Sequence, residues 1–137
     1  IFIVTNQSGI ARGYYSEANM HAFNDHLMLQ SKAAGGLITD IAFCPHHPDI
    51  PSPSNPLINE TLDTDLQPCA CRKPAPGMLL ELAKKWKINI EQSVMIGDKK
   101  MDIDAGNAAG CKSSYLIKSD ASRMALCKDI LKFDFNQ

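Results

Sequence analysis

Residues 1–9, Ile-Phe-Ile-Val-Thr-Asn-Gln-Ser-Gly, decide the fold class of this 137-residue chain. The continuous apolar run that ends at Thr5 predicts a short strand buried on both faces, as strands of a parallel sheet are. The polar and flexible run 6–9 then predicts a turn at the carboxyl end of that strand. Ligands of open parallel sheets bind outside this end of the strands, so the turn is a candidate binding loop.

The rest of the chain alternates predicted helices with further short apolar runs. Strands are predicted at 1–5, 38–43, 93–96 and 113–117, and helices at 16–34, 76–86, 102–109 and 123–131. The first helix has an apolar stripe of Met20, Phe23, Leu27 and Ala34, and the second has one of Met78, Leu79, Leu82, Ala83 and Trp86. The alternation predicts an α/β fold, a single domain with a Rossmann-like parallel sheet and helices on both faces.

Composition excludes several classes of protein. The net charge is −1, so the chain has no basic excess to neutralise a run of nucleic-acid phosphates. No apolar run approaches the roughly 18 residues that a membrane span needs, and the first residues lack the positive region of a secretory signal. Five cysteines, an odd number, do not suggest a disulfide scaffold. We therefore expect a cytoplasmic protein in a reducing compartment, with neither nucleic acid nor a membrane as partner.

Two Cys/His pairs flank a long proline-rich stretch. Cys44-x-His46 and Cys69-x-Cys71 supply three thiols and one imidazole, a set suited to tetrahedral zinc. Because all four positions would be protein ligands, the predicted zinc is structural, and clamping the loop would remove roughly 3 kcal/mol of loop-closure freedom. His47 is an alternative to His46, and ordinary loop chemistry is the alternative to a metal site. Cys111 and Cys127 are interpreted as small buried hydrophobes.

A second set of residues suits a phosphoryl group. The Thr5 hydroxyl and the backbone N–H groups of 5–8 can hold an anion. Asp98, with Asp102 one helical turn later, offers carboxylates of the kind that bind Mg²⁺, although a cap for the following helix is an equally good interpretation of Asp98. Arg72-Lys73 follows Cys71 directly and is placed to clamp phosphate, although such a dipeptide is more often plain surface charge.

Four motifs together resemble the haloacid-dehalogenase (HAD) superfamily. They occur in that superfamily's order and are Thr5–Gly13 (TNQSGIARG), Cys44–Pro48 (CPHHP), Cys69–Met78 (CACRKPAPGM) and Gly97–Lys99 (GDK). Within the superfamily they resemble the phosphatases of heptose bisphosphate and of histidinol phosphate, over about residues 1–117. The resemblance implies a HAD-like α/β domain spanning 1–137, a zinc loop at 44–71, and a Mg²⁺-dependent phosphatase of carbohydrate metabolism and lipopolysaccharide biosynthesis.

The resemblance also implies a role for each matching residue. Thr5 and Lys73 would stabilise the transferred phosphoryl group, and Asp98 would be the Mg²⁺ ligand. The remaining substrate-binding residues would be Asn6, Gln7, Ser8, Arg72 and Lys99. The zinc ligands would be Cys44, His46, Cys69 and Cys71. The implied partner is a small phosphorylated sugar, with the heptose 1,7-bisphosphate favoured over histidinol phosphate, and the protein is expected to be a monomer.

One motif of the family has no counterpart here. The family's nucleophile and general acid/base are the two aspartates of an Asp-x-Asp motif, on a strand that precedes the one ending at Thr5. No residue precedes Ile1, and neither Asp63-Thr64-Asp65 nor Asp102-Ile103-Asp104 follows a predicted strand. We therefore expect the nucleophile to lie outside this chain and one edge of the first strand to be unpaired. The alternative is a catalytically inactive, zinc-stabilised phosphate-binding domain.

Overall fold

A computed structural model describes residues 1–47 and 69–118 of the chain. Four strands and three helices lie in these ranges, in the order β1 (Phe2–Asn6), α1 (Glu17–Ala33), β2 (Asp40–Cys44), α2 (Gly77–Trp86), β3 (Val94–Gly97), α3 (Lys100–Ala109) and β4 (Ser113–Leu116). A single 3₁₀ turn, Ile90–Gln92, precedes β3. The predicted helix at 123–131, Cys127 and most of the predicted zinc loop lie outside the described residues.

All four described strands pair in parallel, as predicted, but they form two pairs instead of one continuous sheet. β1 pairs with β2, from Phe2 opposite Asp40 to Asn6 opposite Cys44. β3 pairs with β4, from Val94 opposite Ser113 to Gly97 opposite Leu116. Within 1–47 and 69–118 no ladder of hydrogen bonds joins the two pairs. Among these residues β1 pairs with β2 alone.

Helices α2 and α3 supply most of the described core. Leu79, Met95, Ala105 and Ala109 form a buried cluster against which Val4 of β1 packs. At Gly106 an added Cβ would collide with Met95 and with the Ser114 side chain, so glycine is what lets α3 lie so close to β3 and β4. The core therefore connects the two strand pairs although their backbones do not pair.

Helix α1 begins where its sequence predicts but buries a different face. Ser16 is the N-cap and forms a reciprocal capping box with Asn19. Met20 is buried as predicted, but Phe23 is 64% exposed and Asn24 is buried. The predicted stripe through Phe23 and Ala34 is therefore wrong, because helical period alone does not select the face that meets a tertiary partner.

The amino ends of β1 and β2 are held against the end of α2 by an aromatic contact and by hydrogen bonds to Asp40. Trp86, expected on the apolar face of α2, is 45% exposed and stacks obliquely near Phe2, with 6.0 Å between the ring centroids. Its indole Nε1 donates to Asp40 Oδ2 at 2.8 Å, and Lys85 Nζ donates to the same oxygen at 2.7 Å. Hydrogen bonds from Lys85 and Trp86 lower the pKa of the Asp40 carboxyl.

No helix within the described ranges is long and apolar enough to span a membrane.

Candidate active site

Lys73 lies where the carboxyl end of β1 meets the beginning of α3. Its Nζ lies 2.7 Å from Asp102 Oδ1 and donates to the backbone oxygen of Val4 at 2.7 Å. The two charged side chains are only 11% and 6% exposed. Removal of one partner of a buried ion pair strongly destabilises the folded protein, because the other charge is left buried and unpaired. The side chains of Lys73 and Asp102 therefore depend on each other.

The backbone of Lys73 is fixed as firmly as its ammonium group. Asn6 Nδ2 donates to Lys73 O at 3.1 Å, and the Lys73 N–H donates to Asn6 Oδ1 at 3.1 Å. The carboxamide of Asn6, predicted to line the substrate site, thus pairs with the peptide backbone of Lys73. The peptide bond between Lys73 and Pro74 is cis. Asn6 therefore positions Lys73, the cation that the sequence predicts to bind phosphate.

Asp102 performs two functions at the start of α3. Besides pairing with Lys73, its Oδ2 accepts from the Lys99 backbone N–H at 2.9 Å and so caps the helix. Burial raises the pKa of the Asp102 carboxyl, but hydrogen bonds from Lys73 and Lys99 and the charge of Lys73 lower it overall. The predicted alternative role of Asp98 as the helix cap is wrong, because the capping position is Lys99. Asp98 and Lys99 are exposed at this junction of β3 and α3.

The lowered pKa of Asp102 predicts how stability depends on pH. A carboxyl with a lower pKa in the folded state contributes stability that is present above its unfolded pKa of 3.8 and is lost as pH falls through the folded pKa. We expect the free energy of unfolding of Asp102→Asn to fall less steeply than that of the parent protein below about pH 4. Urea unfolding at a series of pH values measures this, and parallel curves for the two proteins would contradict it.

The predicted binding loop folds back against the end of β2. The Gln7 backbone N–H donates to Cys44 O at 2.8 Å, continuing the β1–β2 ladder by one bond. Thr5 Oγ1 accepts a hydrogen bond from Gln7 Nε2 at 3.2 Å. Ser8 O accepts from the Arg12 backbone N–H at 3.1 Å and so helps to close the turn. The loop thus begins at Asn6, which is hydrogen-bonded to the Lys73 backbone, while Lys73 Nζ contacts the oxygen of Val4, the residue before Thr5.

The four predicted zinc ligands converge on one point. All four ligand atoms, Cys44 Sγ, His46 Nδ1, Cys69 Sγ and Cys71 Sγ, lie within 4.8 Å of one another. The sulfur of Cys71 is 3.0 Å from that of Cys44 and 3.2 Å from that of Cys69, and His46 Nδ1 is 3.3 Å from Cys71 Sγ. Sulfurs around tetrahedral zinc lie about 3.8 Å apart, so a small outward movement fits the ion. The group can therefore hold one zinc ion with ligands at all four positions.

The thiols of this group do not share one pKa. Burial raises the pKa of Cys69, but hydrogen bonds from Cys71 and Cys44, from the Arg72 backbone N–H and from the His46 side chain lower it to about 7. Burial raises the pKa of both Cys44 and Cys71. Because metal ligation requires thiolates, filling the site releases protons and metal affinity rises with pH.

Arg72 joins the Cys/His group to Lys73. Its Nη1 donates to the His46 backbone oxygen at 2.9 Å, and it lies between Cys71 and Lys73 in the chain. His47, the alternative ligand, lies instead beside Arg12, with 2.9 Å between Arg12 Nη2 and His47 Nε2. The pairing of Asp102 with Lys73 and of Asn6 with the Lys73 backbone was not predicted from the sequence. No local pattern contains either, because the partners are 29 and 67 residues apart.

Comparison with known proteins finds relatives of this chain among phosphatases. The HAD-hydrolase-like family model matches residues 70–133. The chain is 44% identical over 119 residues to D-glycero-α-D-manno-heptose-1,7-bisphosphate 7-phosphatase of Photorhabdus laumondii, covering 87% of this chain and 60% of that protein. It is 41% identical over 110 residues to the β-anomer enzyme of Rhodopseudomonas palustris, covering 80% of this chain and 56% of that protein.

A solved structure extends the likeness to the fold. The crystal structure of D,D-heptose 1,7-bisphosphate phosphatase from B. bronchiseptica, complexed with magnesium and phosphate, superposes with a TM-score of 0.69 at 31% identity. The match covers 93% of this chain and 61% of that one. The chain thus spans about three fifths of the length of the phosphatases it matches. From the shared sequence, the parallel strands and the TM-score, we conclude that this chain has a HAD-like α/β fold.

Proposed function

We propose that the protein is a phosphomonoesterase that removes the 7-phosphate of D-glycero-D-manno-heptose 1,7-bisphosphate. The observation that carries the proposal is the ammonium group of Lys73, which Asp102 and Val4 hold at the carboxyl end of β1, beside Thr5. The relatives named above act on α and β anomers of this sugar, so we propose the heptose bisphosphate as substrate without choosing between anomers.

Lys73 and Thr5 bind the phosphoryl group in this proposal. The negative charge on the phosphoryl oxygens grows or is redistributed during transfer, and fixed donors stabilise it because they need no reorganisation. Asn6 acts indirectly here, because its carboxamide holds the Lys73 backbone. Gln7, Ser8, Arg72 and Lys99 remain proposed substrate-binding residues, with the planar guanidinium of Arg72 suited to a phosphate or sugar oxygen pair.

Magnesium is proposed to bind at Asp98. A carboxylate on the exposed junction of β3 and α3 suits a cation that keeps several waters and pairs with a substrate phosphate. When bound, Mg²⁺ neutralises charge on the phosphate and helps to orient it. Asp102 does not suit this role, because both of its oxygens accept hydrogen bonds from Lys73 and Lys99. The B. bronchiseptica phosphatase was solved with magnesium and phosphate, which supports magnesium as the metal of this proposal.

The attacking group is proposed to come from outside residues 1–137. In the family it is the first aspartate of an Asp-x-Asp motif, which forms an aspartyl-phosphate that water then hydrolyses to inorganic phosphate. The second aspartate transfers the proton to the leaving sugar oxygen and later takes one from the attacking water. Residues 1–137 would supply Thr5 and Lys73, which together form the phosphate clamp, and Asp98 as the metal ligand.

Zinc is proposed to be structural, with Cys44, His46, Cys69 and Cys71 as its ligands. Four protein ligands leave no open coordination position for substrate. The link from Cys71 through Arg72 to Lys73 makes the metal a support for the phosphate clamp.

We further propose a monomeric cytoplasmic protein of lipopolysaccharide biosynthesis, with neither a nucleic acid nor a membrane as partner.

The proposal is tested by assaying the whole purified protein with Mg²⁺ on heptose 1,7-bisphosphate and on histidinol phosphate. We expect release of one phosphate from the heptose, with ³¹P spectra showing that the 1-phosphate is retained. Faster turnover of histidinol phosphate would contradict the substrate assignment. Binding of phosphate without hydrolysis of either substrate would favour the inactive phosphate-binding domain instead.

A further inference from the structure

The loop that follows β1 returns to its own beginning. The Gly13 N–H donates to Ile10 O at 2.9 Å, and the Tyr14 N–H donates to Gly9 O at 2.8 Å. Gly13 has φ 68°, a value in the left-handed region that favours glycine. These bonds turn the chain so that Tyr15 lies over residues 7–9.

Tyr15 is held at its ring as well as at its hydroxyl. A Cβ added to Gly9 would collide with three atoms of the Tyr15 phenol, so the ring lies directly against the Gly9 backbone. The Tyr15 hydroxyl donates to Gln7 Oε1 at 2.5 Å. Its neighbour Tyr14 is 73% exposed, compared with 37% for Tyr15. Two adjacent tyrosines therefore have different environments.

A chain of two hydrogen bonds connects Tyr15 to Thr5. Gln7 accepts from Tyr15 through Oε1 and donates through Nε2 to Thr5 Oγ1, at 3.2 Å. A threonine hydroxyl has one proton and two lone pairs. Because Gln7 donates to the oxygen, the proton of that hydroxyl is left to donate to another acceptor. With the carboxamide reversed, Thr5 would have to donate its proton to Gln7.

We propose that Tyr15 is a positioning residue that sets the direction of the Thr5 hydroxyl through the side chain of Gln7, so that this hydroxyl donates to a bound phosphoryl group. The inference deepens the proposed function, since it rests on Thr5 being a phosphoryl ligand. Tyr15 itself need not touch the substrate. Its hydroxyl fixes the orientation of one carboxamide, and that carboxamide fixes one proton.

The test measures the affinity for inorganic phosphate and the kinetics on heptose 1,7-bisphosphate, both with the whole protein and Mg²⁺. We expect Tyr15→Phe to weaken phosphate binding and lower kcat by about three- to tenfold, the effect of one net hydrogen bond. The KM should change less than kcat, because the Thr5 contact strengthens as charge develops on the phosphoryl group. Tyr14→Phe is the matched control and should change neither quantity.

A double-mutant cycle separates this positioning role from a general structural one. In a Gln7→Ala background the chain of hydrogen bonds is already broken, so adding Tyr15→Phe should cause no further loss of phosphate affinity. An equal loss in both backgrounds, or none in the parent protein, would overturn the inference, as would an increase in KM alone. Phosphate binding without hydrolysis of the heptose would defeat the proposed function while the binding data still decided the role of Tyr15. A parent protein that bound no phosphate would overturn both.

Discussion

Replacing Lys73 with alanine should abolish phosphatase activity, with kcat falling by at least about a thousandfold. The Lys73 ammonium group is fixed by Asp102 and by Val4 O at the carboxyl end of β1, so its loss removes a charge that is held in place before substrate binds. The affinity for inorganic phosphate should fall with it. Zinc content should not change, because all four proposed ligands remain. Phosphate binding equal to that of the parent protein would contradict the role given to Lys73.

The alanine variant also leaves Asp102 buried without its partner, which costs about 3–5 kcal/mol in comparable pairs. A second variant therefore combines Lys73→Met with Asp102→Asn and removes both charges while keeping similar volumes. We expect this pair to recover most of the lost free energy of unfolding and none of the lost activity. Lys100→Ala is the surface control, since Lys100 is 85% exposed and pairs with Asp104 on the outside of α3. Recovery of activity in the double variant would show that Lys73 has only a structural role.

The second large effect should follow from Cys71→Ser. Loss of one thiolate should reduce the zinc content below one ion per chain and lower the free energy of unfolding by about 3 kcal/mol or more. Activity should fall as well, because Cys71 adjoins Arg72 and Lys73 and because Arg72 is anchored on His46. Metal analysis, urea unfolding and phosphate release measure the three effects.

Cys111→Ser is the matched control for that variant. Cys111 packs against the core cluster, and burial raises the pKa of its thiol, but it is not one of the four converging ligands. The same thiol-to-hydroxyl change should therefore leave zinc content unaltered. If Cys71→Ser kept a full complement of zinc, the proposed ligand set would be wrong.

The secondary structure was predictable because its signals are local. The apolar runs placed all four described strands within two residues of their ends, and the first helix begins at its predicted start, where Ser16 is the N-cap. The face of α1 was not predictable, since Phe23 and Asn24 exchange their expected environments. Burial depends on which neighbour a helix meets, and the spacing of apolar residues does not specify that neighbour.

The site shows the same division between local and distant information. Two Cys/His pairs with i, i+2 spacing were visible in the sequence, and their convergence is confirmed in the structure. The links that fix Lys73 were not visible, because Asn6 and Asp102 reach it from other elements of the fold. Tyr15 was also missed, since its hydroxyl acts on Thr5 through an intervening glutamine.

Trp86 gives the protein a built-in optical probe. It is the only tryptophan in the sequence, and it lies beside Phe2 and Asp40, at the amino ends of β1 and β2. The clamp and the Cys/His group lie at the carboxyl ends, about 13 Å along the strands at 3.3 Å per residue. Indole emission should therefore report separation of α2 from the strands during denaturation and stay constant while phosphate or zinc is titrated. Indole emission can then follow unfolding in a sample whose phosphate or zinc occupancy is measured separately, without the two measurements interfering.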